Sequence, residues 1–277
     1  MRKMRLCGKF QAISLGGKEG LAVVVHLFLF LYIDKTKVND NIRVQIKMQR
    51  SKQMIELKEL ANMVDHTLLR ADATKEEFQR LCQEADDYGF KMVAINSYPV
   101  AICREFLKNS KVHVGAAIGF PLGQTTIETK VFEVEDVIKN GADEIDYVIN
   151  IGQLKDGNLA YIREEMKAIV NASREGGIIS KVILENCYLT DDEKMAVCQI
   201  AKEVKPDFVK TSTGFGTGGA TIADVQLMKK VVGNDVKVKA AGGIRDLNTA
   251  LKMIEAGAER LGTSSGIKII EEYQREG

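Results

Sequence analysis

Proline is scarce in this chain, 3 in 277 residues, and the cysteines are odd in number, 5, with no CxxC pair among them. With so little proline, 45% hydrophobic residues and 28% charged ones, neither a collagen-like nor a disordered chain is possible, and a substantial core can be buried. Cys7, Cys82, Cys103, Cys187 and Cys198 stand far apart, so neither a disulfide framework nor a zinc ligand set is indicated. Reduced thiols in a cytoplasmic enzyme are the simplest reading. No GxGxxG turn follows the first strand-like run, which removes the usual dinucleotide fingerprint. A strong net charge is missing too. The formal sum is +1, from 39 basic and 38 acidic side chains, which argues against a nucleic-acid partner.

That sum hides two opposed blocks. Residues 1–53 hold 11 of the basic and 3 of the acidic side chains, a net of +8, which leaves 28 against 35, a net of −7, for residues 54–277. The first block opens with Arg2, Lys3, Arg5, Lys9 and Lys18 ahead of an apolar run from Leu21 to Ile33, an order like that of a secretory signal. His26 interrupts the run, no small-x-small cleavage site follows it, and its 13 residues fall short of the ~20 that span a bilayer. An amphipathic opening, MIELKELANMVDHTLL, begins at Met54. The expectation is therefore a basic extension over 1–53, disordered or preceding the true start, and one folded domain over 54–277.

From Met54 onward, short β-rich apolar runs alternate with longer segments of helical period, the pattern of parallel βαβ units. The expected strands are Val64–Leu69, Met92–Asn96, His113–Ile118, Glu144–Ile149, Lys181–Glu185, Phe208–Thr211, Val236–Ala240 and Arg260–Thr263. Helical stretches between them include Thr74–Tyr88, Thr125–Asn140, Asn158–Glu175, Thr190–Val204, Ile222–Val232 and Leu247–Ala256. Gly89, Gly141 and Gly257 end three of these and lead straight into the next strand. Eight such units predict an α/β fold, a closed (β/α)8 barrel, with an open doubly wound sheet as the alternative.

Reactive groups in such a barrel come from the C-terminal strand ends and the loops beyond them. The sixth strand carries Lys210, and the seventh, VKVKA, carries Lys237 and Lys239 on the face opposite its valines, toward the barrel interior. Buried ammonium groups are expensive, and both desolvation and mutual repulsion lower a lysine pKa. An amine that is neutral near pH 7 can form a Schiff base with a carbonyl compound. Lys237 lies one pleat further from the reactive end and is read as structural. Asp146, inward on the fourth strand, supplies the acid that imine chemistry needs, or else an ion pair that merely satisfies buried charge. Glycine-rich loops after strands six, seven and eight, starting at Gly214, Gly242 and Gly262, offer backbone N–H groups to a phosphate.

The segments VDHTLL, GFPLGQTTIETKVFEVEDVIKNGADEIDYVINIG, KVILENCYLT, DFVKTSTGFGTGG, VKVKAAGGIR and RLGTSSG together resemble the deoxyribose-phosphate aldolase family from about Val64 to Ile270. The resemblance implies reversible, metal-free cleavage of 2-deoxy-D-ribose 5-phosphate to D-glyceraldehyde 3-phosphate and acetaldehyde, with no cofactor. The setting would be cytoplasmic deoxynucleoside catabolism, with phosphorylated sugar and aldehyde partners, no membrane, and a homodimer as the family's suggestion. By the same resemblance Lys210 would form the imine, and Lys239 and Asp146 would carry protons. Gly214, Gly242, Gly243, Ser264 and Ser265 would hold the phosphate, and Asp65 and Thr67 would line the pocket. Three positions depart from the family pattern: Phe215 stands where some members have lysine, Ala94 where many have cysteine, and Asn186 where threonine is commoner. None touches the two lysines or the aspartate. A phosphosugar isomerase or epimerase, or a silent phosphosugar-binding barrel, are the competing readings.

Overall fold

The computed structural model describes residues 55–276; the basic extension and the proposed start at Met54 lie outside the described residues. The strands are β1 (Val64–Thr67), β2 (Met92–Asn96), β3 (His113–Ile118), β4 (Glu144–Val148), β5 (Ile179–Ile183), β6 (Phe208–Lys210), β7 (Lys237–Ala241) and β8 (Arg260–Thr263). Each pairs in parallel with its sequence neighbour, and β8 closes on β1 with Asp65 opposite Gly262. Closure rules out the open doubly wound sheet and confirms the barrel.

The helices are α1 (Leu57–Ala61), α2 (Lys75–Asp87), α3 (Val100–Phe106), α4 (Ile127–Lys139), α5 (Ile151–Lys155), α6 (Leu159–Glu175), α7 (Asp191–Val204), α8 (Ile222–Val232), α9 (Leu247–Glu255) and α10 (Gly266–Glu276). Their starts are chemically marked. Thr74 and Thr190 form reciprocal capping boxes with Glu77 and Glu193, satisfying N–H groups that the first helical turn leaves free. Their stops match the sequence reading, since Gly89, Gly141 and Gly257 all take positive φ.

Six of the eight expected strands keep at least one boundary to the residue, and β5 shifts most, beginning at Ile179 rather than Lys181. Ser180 looks like a strand breaker, yet the Asp207 carboxylate accepts from both its N–H (2.9 Å) and its hydroxyl (3.2 Å), so it costs the strand nothing. At the other end the chain turns at Glu185, whose φ of 57° leaves the extended region.

Alternation sorts the side chains sharply. Val114, Ala116, Ile118, Ile145, Tyr147, Val182, Val209 and Val238 face outward into the apolar shell between sheet and helices, which is the hydrophobic core. The inward set is different: Asp65, Glu144, Asp146, Lys181, Lys210, Lys239 and Arg260, all buried. The inside of this barrel is ionic. Small residues make room for it. A Cβ at Gly115 would lie 2.2 Å from the Met92 sulfur, and one at Gly262 would lie 3.3 Å from Cε of Lys239.

Candidate active site

Seven charged side chains meet inside the barrel, and six of them close into a ring of alternating sign. Asp146 Oδ2 lies 2.6 Å from Lys239 Nζ, which lies 2.5 Å from Asp65 Oδ2. Asp65 Oδ1 is 2.6 Å from Arg260 Nη2, which reaches Glu144 Oε2 at 2.9 Å. Glu144 is 2.5 Å from Lys181 Nζ, which returns to Asp146 Oδ1 at 2.8 Å. Every ring member therefore has a neighbour of opposite sign on each side, and three cations balance three carboxylates. Lys210 is the seventh group. Its Nζ donates to Asp146 Oδ2 at 2.6 Å, and Asp146 is its sole carboxylate partner within the described residues.

This count explains why Lys210, among the four cations, is the one that can be neutral. With the ring balanced, a proton on Lys210 leaves an uncompensated positive charge in a region shut off from water, which is unfavourable by several kcal/mol for a bare ion. Burial is the main force lowering its pKa, Asp146 opposes it, and the charge on Lys239 adds to the lowering; the result is about 8. Asp146 stays ionised. Burial alone would raise its pKa, but Lys181, Lys210 and Lys239 together hold it well below the usual carboxylate range.

The expected residues are placed as follows. Lys210, Lys239 and Asp146 come together at one carboxylate oxygen. Thr67 is half-buried at the C-terminal end of β1. Asp65 lies deeper than expected: it is fully buried between Lys239 and Arg260, so it belongs to the ring instead of lining a pocket. Lys237 is exposed at the opposite end of the barrel, over the Phe208 ring at 5.5 Å, consistent with its structural reading. Lys181, Glu144 and Arg260 went unremarked in the sequence. The signal was present, because each occupies an inward position by the same alternation that exposed Lys239 and Asp146.

Gly214, Gly242 and Gly243, with φ of 92°, 86° and 80°, follow β6 and β7, and Ser264 and Ser265 lead into the N-terminus of α10 after β8. The first two loops pack backbone on backbone. Ala220 donates to the carbonyls of Ala241 and Gly242, both at 3.0 Å, and a Cβ at Gly219 would fall 2.3 Å from the Gly242 oxygen. Backbone cannot move aside as a flexible side chain can. Gly219→Ala is accordingly expected to cost about 1–3 kcal/mol by overpacking, read as a lowered denaturant midpoint with unchanged slope.

The loop after β3 reaches the same mouth. Buried Lys130 anchors it, donating to the carbonyls of Gly123 and Val148, each at 2.7 Å, and to Glu165 at 2.5 Å, while Gly119 N–H donates to Glu133 at 2.7 Å. This brings Phe120 edge-on to Phe215, with ring centroids 5.5 Å apart. Phe215 thus gives the mouth an aromatic lip.

A closed parallel barrel with a low-pKa amine at the end of a strand and glycine-rich loops around it defines a class: a (β/α)8 enzyme organised around lysine. The family profile of the DeoC/LacD aldolases matches residues 59–272, and the chain belongs to that family. It is similar to the deoxyribose-phosphate aldolase of Lactobacillus acidophilus, 58% identical over 213 residues, which is 77% of this chain and 90% of the relative. A second similar protein is the deoxyribose-phosphate aldolase of Bacteroides thetaiotaomicron, 55% identical over 220 residues, 79% of this chain and 92% of the relative. A solved structure of deoxyribose phosphate aldolase from Aeropyrum pernix, described as a unique tetramer, superposes with a TM-score of 0.76 at 31% identity, covering 82% of this chain and 96% of that one. No helix among the described residues is long and apolar enough to cross a membrane.

Proposed function

We propose that the chain cleaves 2-deoxy-D-ribose 5-phosphate reversibly to D-glyceraldehyde 3-phosphate and acetaldehyde through an imine on Lys210. Named relatives at 58% and 55% identity support the reaction. The observation that carries the mechanism is the pendant position of Lys210 on a charge-balanced ring.

Neutral Lys210 attacks C1 of the open-chain aldehyde, and the carbinolamine loses water to give an iminium. Acetaldehyde retains C1 and C2, so the bond that breaks is C2–C3. A base takes the C3 hydroxyl proton, C3 becomes the aldehyde of the departing three-carbon phosphate, and the C2–C3 electron pair flows into the iminium to form an enamine. Protonation at C2 and addition of water then release acetaldehyde and restore the amine. Ionised Asp146, held between Lys210 and Lys239 at 2.6 Å from each, is suited to accept protons. The Lys239 ammonium, 2.6 Å from the same Asp146 oxygen, is suited to supply one. The glycine loops after β6 and β7, with Ser264 and Ser265, would receive the phosphate on backbone N–H groups. A cytoplasmic setting and self-association, as in the Aeropyrum pernix tetramer, complete the reading.

Borohydride reduction in the presence of acetaldehyde should leave an ethyl group on Lys210, found by peptide mapping. Absence of any adduct, with cleavage activity intact, would overturn the imine mechanism. Retained turnover in Lys210→Arg would instead favour an isomerase or epimerase that needs no imine.

A further inference from the structure

Glu185 is buried against the segment that follows Lys210, and nothing in the imine chemistry uses it. It is 2% exposed, and no basic side chain pairs with it among the described residues. Its backbone is left-handed, with φ of 57° and ψ of 63°, a conformation unfavourable for a residue with a Cβ. A buried carboxylate in a left-handed turn is doubly costly. Both oxygens face the segment that follows Lys210. Thr213 N–H donates to Oε1 at 3.1 Å and to Oε2 at 3.3 Å, and the Thr213 hydroxyl donates to Oε2 in a short contact. That hydroxyl in turn accepts from Phe215 N–H at 3.0 Å.

The direction of these bonds matters. An ionised carboxylate only accepts, so it fixes the Thr213 proton toward itself and turns the hydroxyl lone pairs toward Phe215 N–H. One anionic group thereby sets the turn Thr213–Gly214–Phe215, with Gly214 at φ of 92°. The next residue is fitted to the same group, because a Cβ at Gly216 would lie 3.1 Å from Glu185 Cδ and 2.7 Å from the Cys187 sulfur. Lys210 itself makes no contact with Glu185; its one carboxylate is Asp146.

We propose that Glu185 is a positioning residue that shapes the Thr213–Phe215 turn for recognition of the phosphorylated substrate while leaving imine formation at Lys210 alone. This rests on the aldolase reading above.

The test uses Glu185→Ala, Glu185→Gln and Thr213→Val in the full chain, with steady-state kinetics on 2-deoxy-D-ribose 5-phosphate and borohydride trapping with acetaldehyde alone. Glu185→Ala should raise KM about tenfold or more, the loss of charge-assisted bonds to the turn. Glu185→Gln keeps an acceptor oxygen and should restore KM to within about threefold of the native value. Acetaldehyde trapping on Lys210 should change by less than about twofold in all variants, as expected of a group outside the reacting atoms. Thr213→Val removes the hydroxyl that links Glu185 to Phe215 N–H while keeping the backbone N–H bonds to Glu185 and leaving the left-handed residue in place, and combined with Glu185→Ala it should add little further loss. An unchanged KM in Glu185→Ala would overturn the inference, as would a fall in trapping parallel to the rise in KM, or additive losses in the double variant. Should Glu185→Ala not fold, Thr213→Val decides, because the hydroxyl it removes is the link from Glu185 to Phe215 N–H: a native KM then refutes the role. Failure of trapping in the native protein would instead refute the aldolase mechanism, so the two failures are separable.

Discussion

Lys239→Met is expected to move the acid limb of kcat/KM from about 8 toward the ordinary lysine value and to lower kcat/KM at pH 7 by a thousandfold or more. Charge balance within the ring sets the effect. With Lys239 gone, Asp65, Asp146 and Glu144 face only Arg260, Lys181 and Lys210, so Lys210 becomes the third cation needed for balance. It no longer carries a surplus proton, and the repulsion from Lys239 that helped to lower its pKa is removed. A rise of about two units leaves roughly a hundredth of the neutral amine at pH 7. Loss of the ammonium as proton donor costs a further factor of about 10²–10⁴. Methionine keeps the unbranched stem that passes Gly262, Asp65 keeps Arg260, and Asp146 keeps Lys181 and Lys210, so the loss of stability should stay within about 3–5 kcal/mol, the cost of a buried pair that loses one partner. The measurement is the pH profile of kcat/KM together with the rate of borohydride trapping, which should recover as pH is raised. An acid limb still near 8 would show that the ring does not set the Lys210 pKa.

The barrel was legible in the sequence because eight apolar runs and glycine stops report local preferences that the fold does not override. The short helices α3 and α5 were not, since five to seven residues are too few to display a helical period. The same contrast holds at the site. Lys210, Lys239 and Asp146 stood out as charges in buried strands, and Lys181, Glu144 and Arg260 obey the same alternation. Depth along the barrel axis was legible only as the one-pleat offset that set Lys237 apart, and a linear pattern cannot show how sharply burial changes over that pleat. Lys237 and Lys239 have the same parity, yet one is exposed and the other wholly buried. Nor can it show closure of the ring, which pairs residues 35 to 195 positions apart. The pKa of Lys210 depends on that closure, so the residue pattern could suggest a lowered value, and only the family resemblance singled out Lys210.

Asp146→Asn should act on the same network with the opposite sign. Removing this carboxylate leaves four cations facing Asp65 and Glu144, so the surplus positive charge grows and Lys210 holds its proton less tightly. The acid limb should fall below about 8, whereas Lys239→Met raises it. Imine formation needs only a neutral amine, so acetaldehyde trapping on Lys210 should persist and extend to lower pH. Turnover should nevertheless fall by about 10²–10⁴, because the oxygen that sits 2.6 Å from both lysines can no longer take up a proton. Stability should drop by about 3–5 kcal/mol, as expected when a buried pair loses one partner; Lys181 and Lys239 would each retain only one carboxylate. Trapping and turnover thus separate in this variant, and the two substitutions bracket the native acid limb from either side. A variant that neither turns over nor traps at any pH while remaining folded would mean that Asp146 is required to form the imine itself, and that a balanced charge count is not what frees Lys210.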